Sequence, residues 1–439
     1  MEWQWILLLF IGSLLLIMFT GFPIAFSFMA VSGGTMFLMF GEAGIRQWVL
    51  GMQSQLSTFT FTAIPFFIVM GEVFFRSGII TQTMDTLAKL VRRVPGRLSV
   101  ITLIGGGIFA ALSGSSLANI VMFGSLMMPE MQRRSYCMKI TTGSIMASGS
   151  LAMVIPPSNL AVLMGGISGI SVPNILLGAI LPGTLLVFFF LAYVIISCLR
   201  NPSLAPAAEN EDEQDVLTPA EKLKEFCRNI LPLCLIMLTV IGTIFLGIGT
   251  TTEAAAIGAV ASYILAIVYR KFSFKLLVQT LIGSLRNTVM LLTIIASSAG
   301  FSQVLSLTGA SRAAVVAITG MFQSPMAILL VMLAIAFVID LFVSESATMM
   351  ICLPLFMPLV HAFEINEVWF AVLFLIIVQL GQFTPPVGMA LFAMKGVSPP
   401  EVTFQTVVKG GIPFCILIAI VIVLILFFPG LATGIPGMS

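Results

Sequence analysis

Charge is the scarcest property of this chain. Of its 439 residues only 9% are charged and 59% are apolar, whereas a soluble domain carries about 25% charged residues. That shortage excludes an ordinary soluble globule. The net charge of +2 lacks the basic excess that phosphate backbones attract, so no nucleic-acid partner is expected. Histidine occurs once, as His361 in an expected exposed loop. No HExxH occurs, and no lysine stands well inside an apolar run. A serine hydrolase with a histidine or lysine base therefore has no base to use, and a zinc hydrolase has no ligand motif; the chain does not read as an enzyme. The six cysteines, at 137, 198, 227, 234, 352 and 415, form no CxxC pair and read as small apolar packing residues, not as a metal site or disulfides. A basic n-region and a cleavage site are also missing from the start of the chain. Residues 6–19 thus read as a retained first span, with Trp3 and Trp5 as interfacial anchors.

What the chain has in abundance is apolar runs of membrane-crossing length, about twenty residues each. Full crossings are expected near 5–20, 24–41, 60–79, 135–170, 175–198, 229–249, 253–269, 287–307, 364–396 and 404–428. Two further apolar stretches, 98–130 and 327–359, are too long for one span, and each has small polar residues at its middle. Lys89, Arg92, Arg93 and Arg97 precede the first, and Arg133, Arg134 and Lys139 follow it. Positive flanks stay in the cytoplasm, so this stretch leaves and returns on one side as a re-entrant hairpin. Its turn falls near Ser113. The flanks of the second stretch are poor in Lys and Arg, so its hairpin enters from the periplasmic side. Residues 200–228 are acidic and Pro-rich and read as a cytoplasmic linker.

A shift of 229 residues superimposes the halves. Pro156-Pro157 falls on Pro385-Pro386, Pro129 on Pro358, Ser115 on Ser344 and Ala118 on Ala347. Two amphipathic arms follow the same shift: Ile45, Trp48, Val49, Met52 and Leu56, then Phe274, Leu277, Val278, Leu281 and Leu285. The expected fold is an all-α integral membrane protein with inverted repeats over 1–199 and 229–439. Each repeat has five spans, one re-entrant hairpin and one helix broken by Pro-Pro. Five is odd, so the second repeat must be inverted, which reproduces the opposite sidedness of the hairpins. This plan recurs in secondary transporters that bind at the bilayer midplane.

Two prolines in succession unwind a helix and free its carbonyls. Freed backbone at membrane depth survives only inside protein or beside water. Carbonyl and hydroxyl oxygens suit a hard cation such as sodium, and half-helix N-termini suit a carboxylate. Each hairpin tip is therefore paired with the broken helix of its own repeat. The sodium candidates are Ser113, Gly114, Ser115, Ser116 and Pro156 in the first half, and Ser344, Gly381, Thr384 and Pro385 in the second. The substrate candidates between them are Asn119, Ser158, Asn159, Glu345, Ser346, Thr348 and Gly388. Asp340 and Glu345 are intramembrane acids, which are functional by default. Glu72 and Glu253, at span ends, read as structural.

Five motifs carry a family resemblance: GGGIFAALSGSSLANI (105–120), IPPSN (155–159), GTTTEAAAIG (249–258), LPLFMP (353–358) and GQFTPPVG (381–388). The chain resembles, over nearly its whole length, the large membrane subunit (DctM-like) of tripartite ATP-independent periplasmic (TRAP) transporters. The resemblance implies an elevator mechanism, in which hairpins and broken helices move against a fixed scaffold of the remaining spans and arms. It implies a bacterial inner-membrane location, a small four-helix membrane subunit and a periplasmic substrate-binding protein. It also implies an organic-acid substrate such as a dicarboxylate, sialic acid or a sugar acid. Sodium is the expected coupling ion, and no other cofactor is expected. Family sodium-binding regions carry over onto Ser113, Ser115, Ser116 and Pro156, and onto Ser344, Thr384 and Pro385. The chain departs from the family pattern in two places. Ser344 stands where an acid is common, with Glu345 beside it, and Gln379 stands where asparagine is more usual. The competing reading is an autonomous divalent-anion/sodium symporter that needs no binding protein; a gated channel is the other.

Overall fold

The structure, a computed structural model, describes residues 3–91, 94–206, 218–321 and 324–438. No strand occurs among the described residues. The first half runs through α1 (Trp3–Phe19), α2 (Ile24–Leu56), α3 (Ala63–Ser77), α4 (Ile79–Leu90), α5 (Arg97–Ser113), α6 (Ser116–Arg133), α7 (Met138–Ser150), α8 (Asn159–Ser168) and α9 (Val172–Arg200). The chain continues through α10 (Pro219–Asn229), α11 (Leu231–Phe245), α12 (Thr251–Val268), α13 (Phe274–Leu307) and α14 (Ala310–Met321). It ends with α15 (Pro325–Asp340), α16 (Glu345–Ala362), α17 (Glu367–Gln382), α18 (Met389–Val397), α19 (Phe404–Phe427) and α20 (Gly430–Thr433). Among the described residues, seven helices are long and apolar enough to cross a membrane, or eight if the bent pair α10–α11 is one span.

Local chemistry sets the boundaries. Gly78 and Gly96 take positive φ before α4 and α5, a conformation open to glycine without a Cβ clash. Side chains of Ser324, Ser344, Asn366 and Thr403 cap α15, α16, α17 and α19, each satisfying an orphan helix N–H. Thr250 and Glu253 form a capping box at α12, so Glu253 is structural. Glu72 accepts from Arg76 Nε at 2.6 Å and is structural too. Both long apolar stretches are helix pairs, α5–α6 and α15–α16. The expected crossings at 135–170 and 364–396 are interrupted. Non-helical residues lie between α7 and α8 and between α17 and α18, and both Pro-Pro bonds there are cis. α6 and α16 are each 18 residues long and start 229 positions apart.

The first arm is set off from the span at 24–41, as expected: a non-helical kink at Gly41 (φ 61°, ψ −144°) interrupts α2 before it resumes through Leu56. Two expectations need correction. The second arm runs straight into the span at 287–307 as the 34-residue α13. No proline or kinked glycine interrupts that second junction, so nothing stops helix propagation there. The end of the linker 200–228 is helical. Thr218 and Glu221 form a capping box that starts α10. Asn229, at its end, joins α4: it accepts from Gln82 at 2.8 Å and donates to Thr86 at 2.7 Å. His361 lies in the last turn of α16, not in a loop; it is exposed, with Nδ1 3.4 Å from Glu367. Arg92, Arg93, linker residues 207–217 and the side chains of Trp3 and Trp5 lie outside the described residues.

Packing builds on aromatics and close helix contacts. Phe301 of α13 stacks on Phe10 of α1 at 4.8 Å and meets Phe28 of α2 edge-on at 5.3 Å. Trp48, on the outer part of α2, lies over Gly300 and donates to Ser32 at 3.0 Å. Between α7 and α19 the backbones nearly touch: a Cβ at Gly143 would stand 2.3 Å from the Gly410 carbonyl oxygen. Small residues allow such approach in membranes, where dispersion contacts drive helix association. Gly143→Ala should therefore cost about 1–3 kcal/mol through overpacking, seen as a lower thermal midpoint in detergent. Gly34→Ala, where no atom lies within 4 Å, should leave that midpoint unchanged.

Candidate functional site

The first hairpin turns as its residues require. α5 stops at Ser113, Gly114 takes φ 59°, and Ser115 caps α6 by accepting from Ala118 N at 3.4 Å. The tip rests on Asn159, whose Nδ2 donates to the Ser113 carbonyl at 3.4 Å. A Cβ at Gly114 would stand 2.7 Å from that same nitrogen, so only glycine permits the contact. Ser158 caps α8 by accepting from Ala161 N, and its own hydroxyl donates to Met153 O at 3.0 Å. Pro156 and Pro157 border an apolar crevice shared with Leu176, Ile241 and Ile244. Asn119 is fully buried, and its Nδ2 donates to both Gly106 O and Ser148 O at 3.0 Å. It therefore braces α5, α6 and α7 together.

The second tip is more acidic. Ser344 caps α16, and Thr348 Oγ1 donates to Asp340 Oδ1 at 2.9 Å and approaches Ser344 O at 3.2 Å. Asp340 is only 2% exposed. Its Oδ2 has no hydrogen-bond partner and lies against Gly381, where a Cβ would stand 2.3 Å away. Glu345 Oε2, Gln382 Nε2 and both amide atoms of the fully buried Gln379 are also buried without partners. Ser346 is buried nearby, at the start of α16. In the break, Thr384 Oγ1 donates to Leu380 O at 2.8 Å. Gly388 (φ 44°) would bring a Cβ within 2.9 Å of the carbonyl oxygens of both Gln382 and Thr384. Pro385-Pro386 thus sits in a loop whose carbonyls fold around a glycine.

The tips do not meet only their own broken helices, as the sequence pairing expected. Ser116 Oγ donates to Gln382 Oε1 at 3.3 Å, which links the first tip to the second break. α6 also packs on α18, and α16 packs on α8. Each hairpin therefore contacts the second half-helix of the opposite half. The reason is steric: Val397 of α18 fits against Gly124 of α6, where a Cβ would stand 2.4 Å from it. Sequence reasoning named Asp340 as a functional acid and Gln379 as a departure from the family pattern, but gave neither of them, nor Gln382, a ligand role. The available signal was two amides three residues apart in an otherwise apolar helix (EVWFAVLFLIIVQLGQ), a spacing that places both on one face.

The sequence pattern described as the tripartite ATP-independent periplasmic transporter, DctM component, matches residues 11–431. The chain belongs to the DctM family. Family membership makes it a multi-pass protein of the inner membrane. In general it also implies a small membrane subunit and a periplasmic binding protein as companions. Relatives of this DctM chain include the C4-dicarboxylate TRAP transporter large permease protein DctM of Pseudomonas aeruginosa. That protein is 28% identical over 94% of this chain and 95% of its own. The 2,3-diketo-L-gulonate TRAP transporter large permease protein YiaN of Escherichia coli is 27% identical over 97% of each chain. The sialic acid TRAP transporter large permease protein SiaM of Vibrio cholerae is 25% identical over 96% of each. All are named as transporter permeases. Among solved structures, the YdaH transporter of Alcanivorax borkumensis aligns with a TM-score of 0.62. It is 14% identical and covers 96% of this chain and 97% of its own, a likeness of fold alone.

Gly381 makes room for the Asp340 carboxylate. Gly381→Ala should displace it and cut substrate uptake by at least about tenfold, the factor set by 1.4 kcal/mol. Detergent extraction and elution volume should match the unsubstituted protein, which separates a site defect from misfolding.

Proposed function

We propose that this DctM chain is the large permease of a sodium-coupled secondary transporter that imports a small organic acid. A periplasmic binding protein delivers the acid, and the small four-helix subunit joins the scaffold. The observation that carries this reading is the second tip. Asp340 is buried with an unpartnered oxygen, Glu345 Oε2 is likewise buried without a partner, and neither has a Lys or Arg partner among the described residues. Leaving such groups uncompensated costs several kcal/mol per ion. A monovalent hard cation offsets that cost, and hydroxyl and carbonyl oxygens are its natural ligands.

In this reading one sodium ion sits among Ser113, Gly114, Ser115, Ser116 and the carbonyls freed at Pro156. A second sits among Ser344, Gly381, Thr384, the carbonyls freed at Pro385, and Asp340. The substrate lies between them, near the N-termini of α8 and α16, with Ser158, Asn159, Glu345, Ser346 and Gly388 around it. Asn119 and Thr348 act from behind, by bracing α5–α7 and holding Asp340. The two halves are inverted repeats; the matched lengths and spacing of α6 and α16 support this. Hairpins and broken helices move together as the elevator, and the Ser116–Gln382 bond and the α6–α18 contact support their moving as one body. The relatives' printed substrates, a C4-dicarboxylate, 2,3-diketo-L-gulonate and sialic acid, support an organic acid as cargo.

Right-side-out vesicles given labelled organic acids test the reading. Uptake should require an inward sodium gradient, this gene and periplasmic extract together. Uptake without extract would favour an autonomous sodium symporter, and uptake indifferent to sodium would overturn the coupling. Sodium should also raise the thermal midpoint of the purified protein, because a ligand that binds only the folded state stabilises it. Asp340→Asn should lose most of that rise.

A further inference from the structure

One cleft lies outside this site. It encloses about 510 Å³ between the outer part of α2, the last turns of α13 and the end of α8. Six neutral polar side chains line it: Gln47, Ser54, Gln55, Ser298, Ser302 and Gln303. No charged residue does. We propose that this cleft is the receiving site for the transported acid on the periplasmic side, and that it selects a hydroxyl-rich acid over a bare dicarboxylate. The inference rests on the transport reading above and adds a second place where substrate binds.

Sidedness follows from the basic residues. Arg133 and Arg134 precede α7, so the α7–α8 crossing starts in the cytoplasm and Gly166 and Ile167 end outside. Arg270 and Lys271 precede α13, so its start is cytoplasmic and Ser298 to Gln303 lie toward the periplasm. Both lines put the cleft on the face where a periplasmic protein would release its cargo. Its volume falls within the roughly 300–1,000 Å³ of small-molecule sites.

The cleft also spans the boundary that an elevator must cross. Gln55 Nε2 donates to Gly166 O at 3.1 Å, a bond between α2 and α8, and Ile167 of α8 forms part of the wall. The opposite wall is firm, because Trp48 seats on Gly300 and the Gln303 amide lies over Gly51. Displacing α8 against α2 and α13 therefore opens or closes the cleft.

Selectivity comes from the donors the wall needs. Gln303 Oε1 is buried and has no hydrogen-bond partner, so it needs a donor. A sugar-acid hydroxyl supplies one while accepting from serine and amide donors. A bare dicarboxylate offers only acceptors, with two charges and no cation in the wall to meet them. The absence of a counter-charge keeps binding weak, which suits a transit site.

The test uses the full chain with its companions in right-side-out vesicles, with Ser54→Cys introduced beside Cys227→Ser to silence the exposed native thiol. A charged methanethiosulfonate reagent added outside modifies the introduced thiol, and its rate is followed by mass. Gluconate, gulonate and N-acetylneuraminate are the probes, with succinate as the comparison. At twice its Kd an occupying acid should slow modification about threefold, from 1 + [L]/Kd. Succinate at equal concentration should slow it less, and adding Gln303→Leu, or separately Ser302→Ala, should weaken the protection. The proposal is overturned if none of the three acids protects, if succinate protects equally, or if protection survives both substitutions. Sodium-driven uptake in the same vesicles reports separately on the transport reading. Protection without uptake would sink that reading alone, and uptake without protection would sink this one.

Discussion

An ionised carboxylate held away from water must be compensated, and in this chain that requirement falls on very few groups. Desolvation of a single ion costs several kcal/mol even after relaxation, a large part of a folded protein's net stability of about 5–15 kcal/mol. Asp340 has Thr348 on one oxygen and nothing on the other. Gln379 and Gln382 add unpartnered amide atoms at the adjacent break. Natural proteins rarely leave so many buried polar atoms unsatisfied in one place. In the proposed reading a bound cation compensates the carboxylate and the amide oxygen, and the surrounding architecture serves to hold it.

That architecture joins two ways of interrupting a helix. A hairpin tip made of serine and glycine exposes a cap and a left-handed residue. A Pro-Pro break exposes carbonyls. Neither is stable alone in hydrocarbon, because freed backbone groups have no water to bond. Packed against each other, they bring hydroxyls and backbone carbonyls close to the positive ends of helices. Crossed contacts, α6 on α18 and α16 on α8, tie both tips and both breaks into one mass. The remaining helices α1, α2, α12 and α13 present many large apolar side chains outward, such as Phe37, Leu38, Val260 and Ile282, as a surface in contact with lipid or a membrane partner requires.

Much of this was legible in the sequence because its causes are local. Scarce charge and recurrent apolar runs identified the membrane class. Ser113-Gly114-Ser115-Ser116 announced a turn, and Pro156-Pro157 and Pro385-Pro386 announced breaks, because glycine and proline act within a few residues. What stayed hidden depends on register between distant helices. The juxtaposition of Asp340 with Gly381 requires α15 to lie on α17 at one depth, and nothing near either residue encodes it. The same holds for Asn119, whose two donors are taken up by carbonyls of α5 and α7. The second arm was misjudged for the opposite reason. Its amphipathic pattern marks a change of environment, but without a break like that at Gly41 the helix simply continues through it. The capping box at Thr218 and Glu221 was visible in the sequence and outweighed by the polar composition around it.

The central claim is that sodium ions, not protons or further protein contacts, compensate the buried oxygens at the two breaks. Equilibrium binding of radiolabelled sodium to the purified complex, with potassium as the background salt, tests it most directly. Saturable binding that excess potassium does not displace, and that falls when Asp340 is neutralised, is the result this account predicts. No saturable binding, or sodium binding that potassium competes away equally, would contradict it.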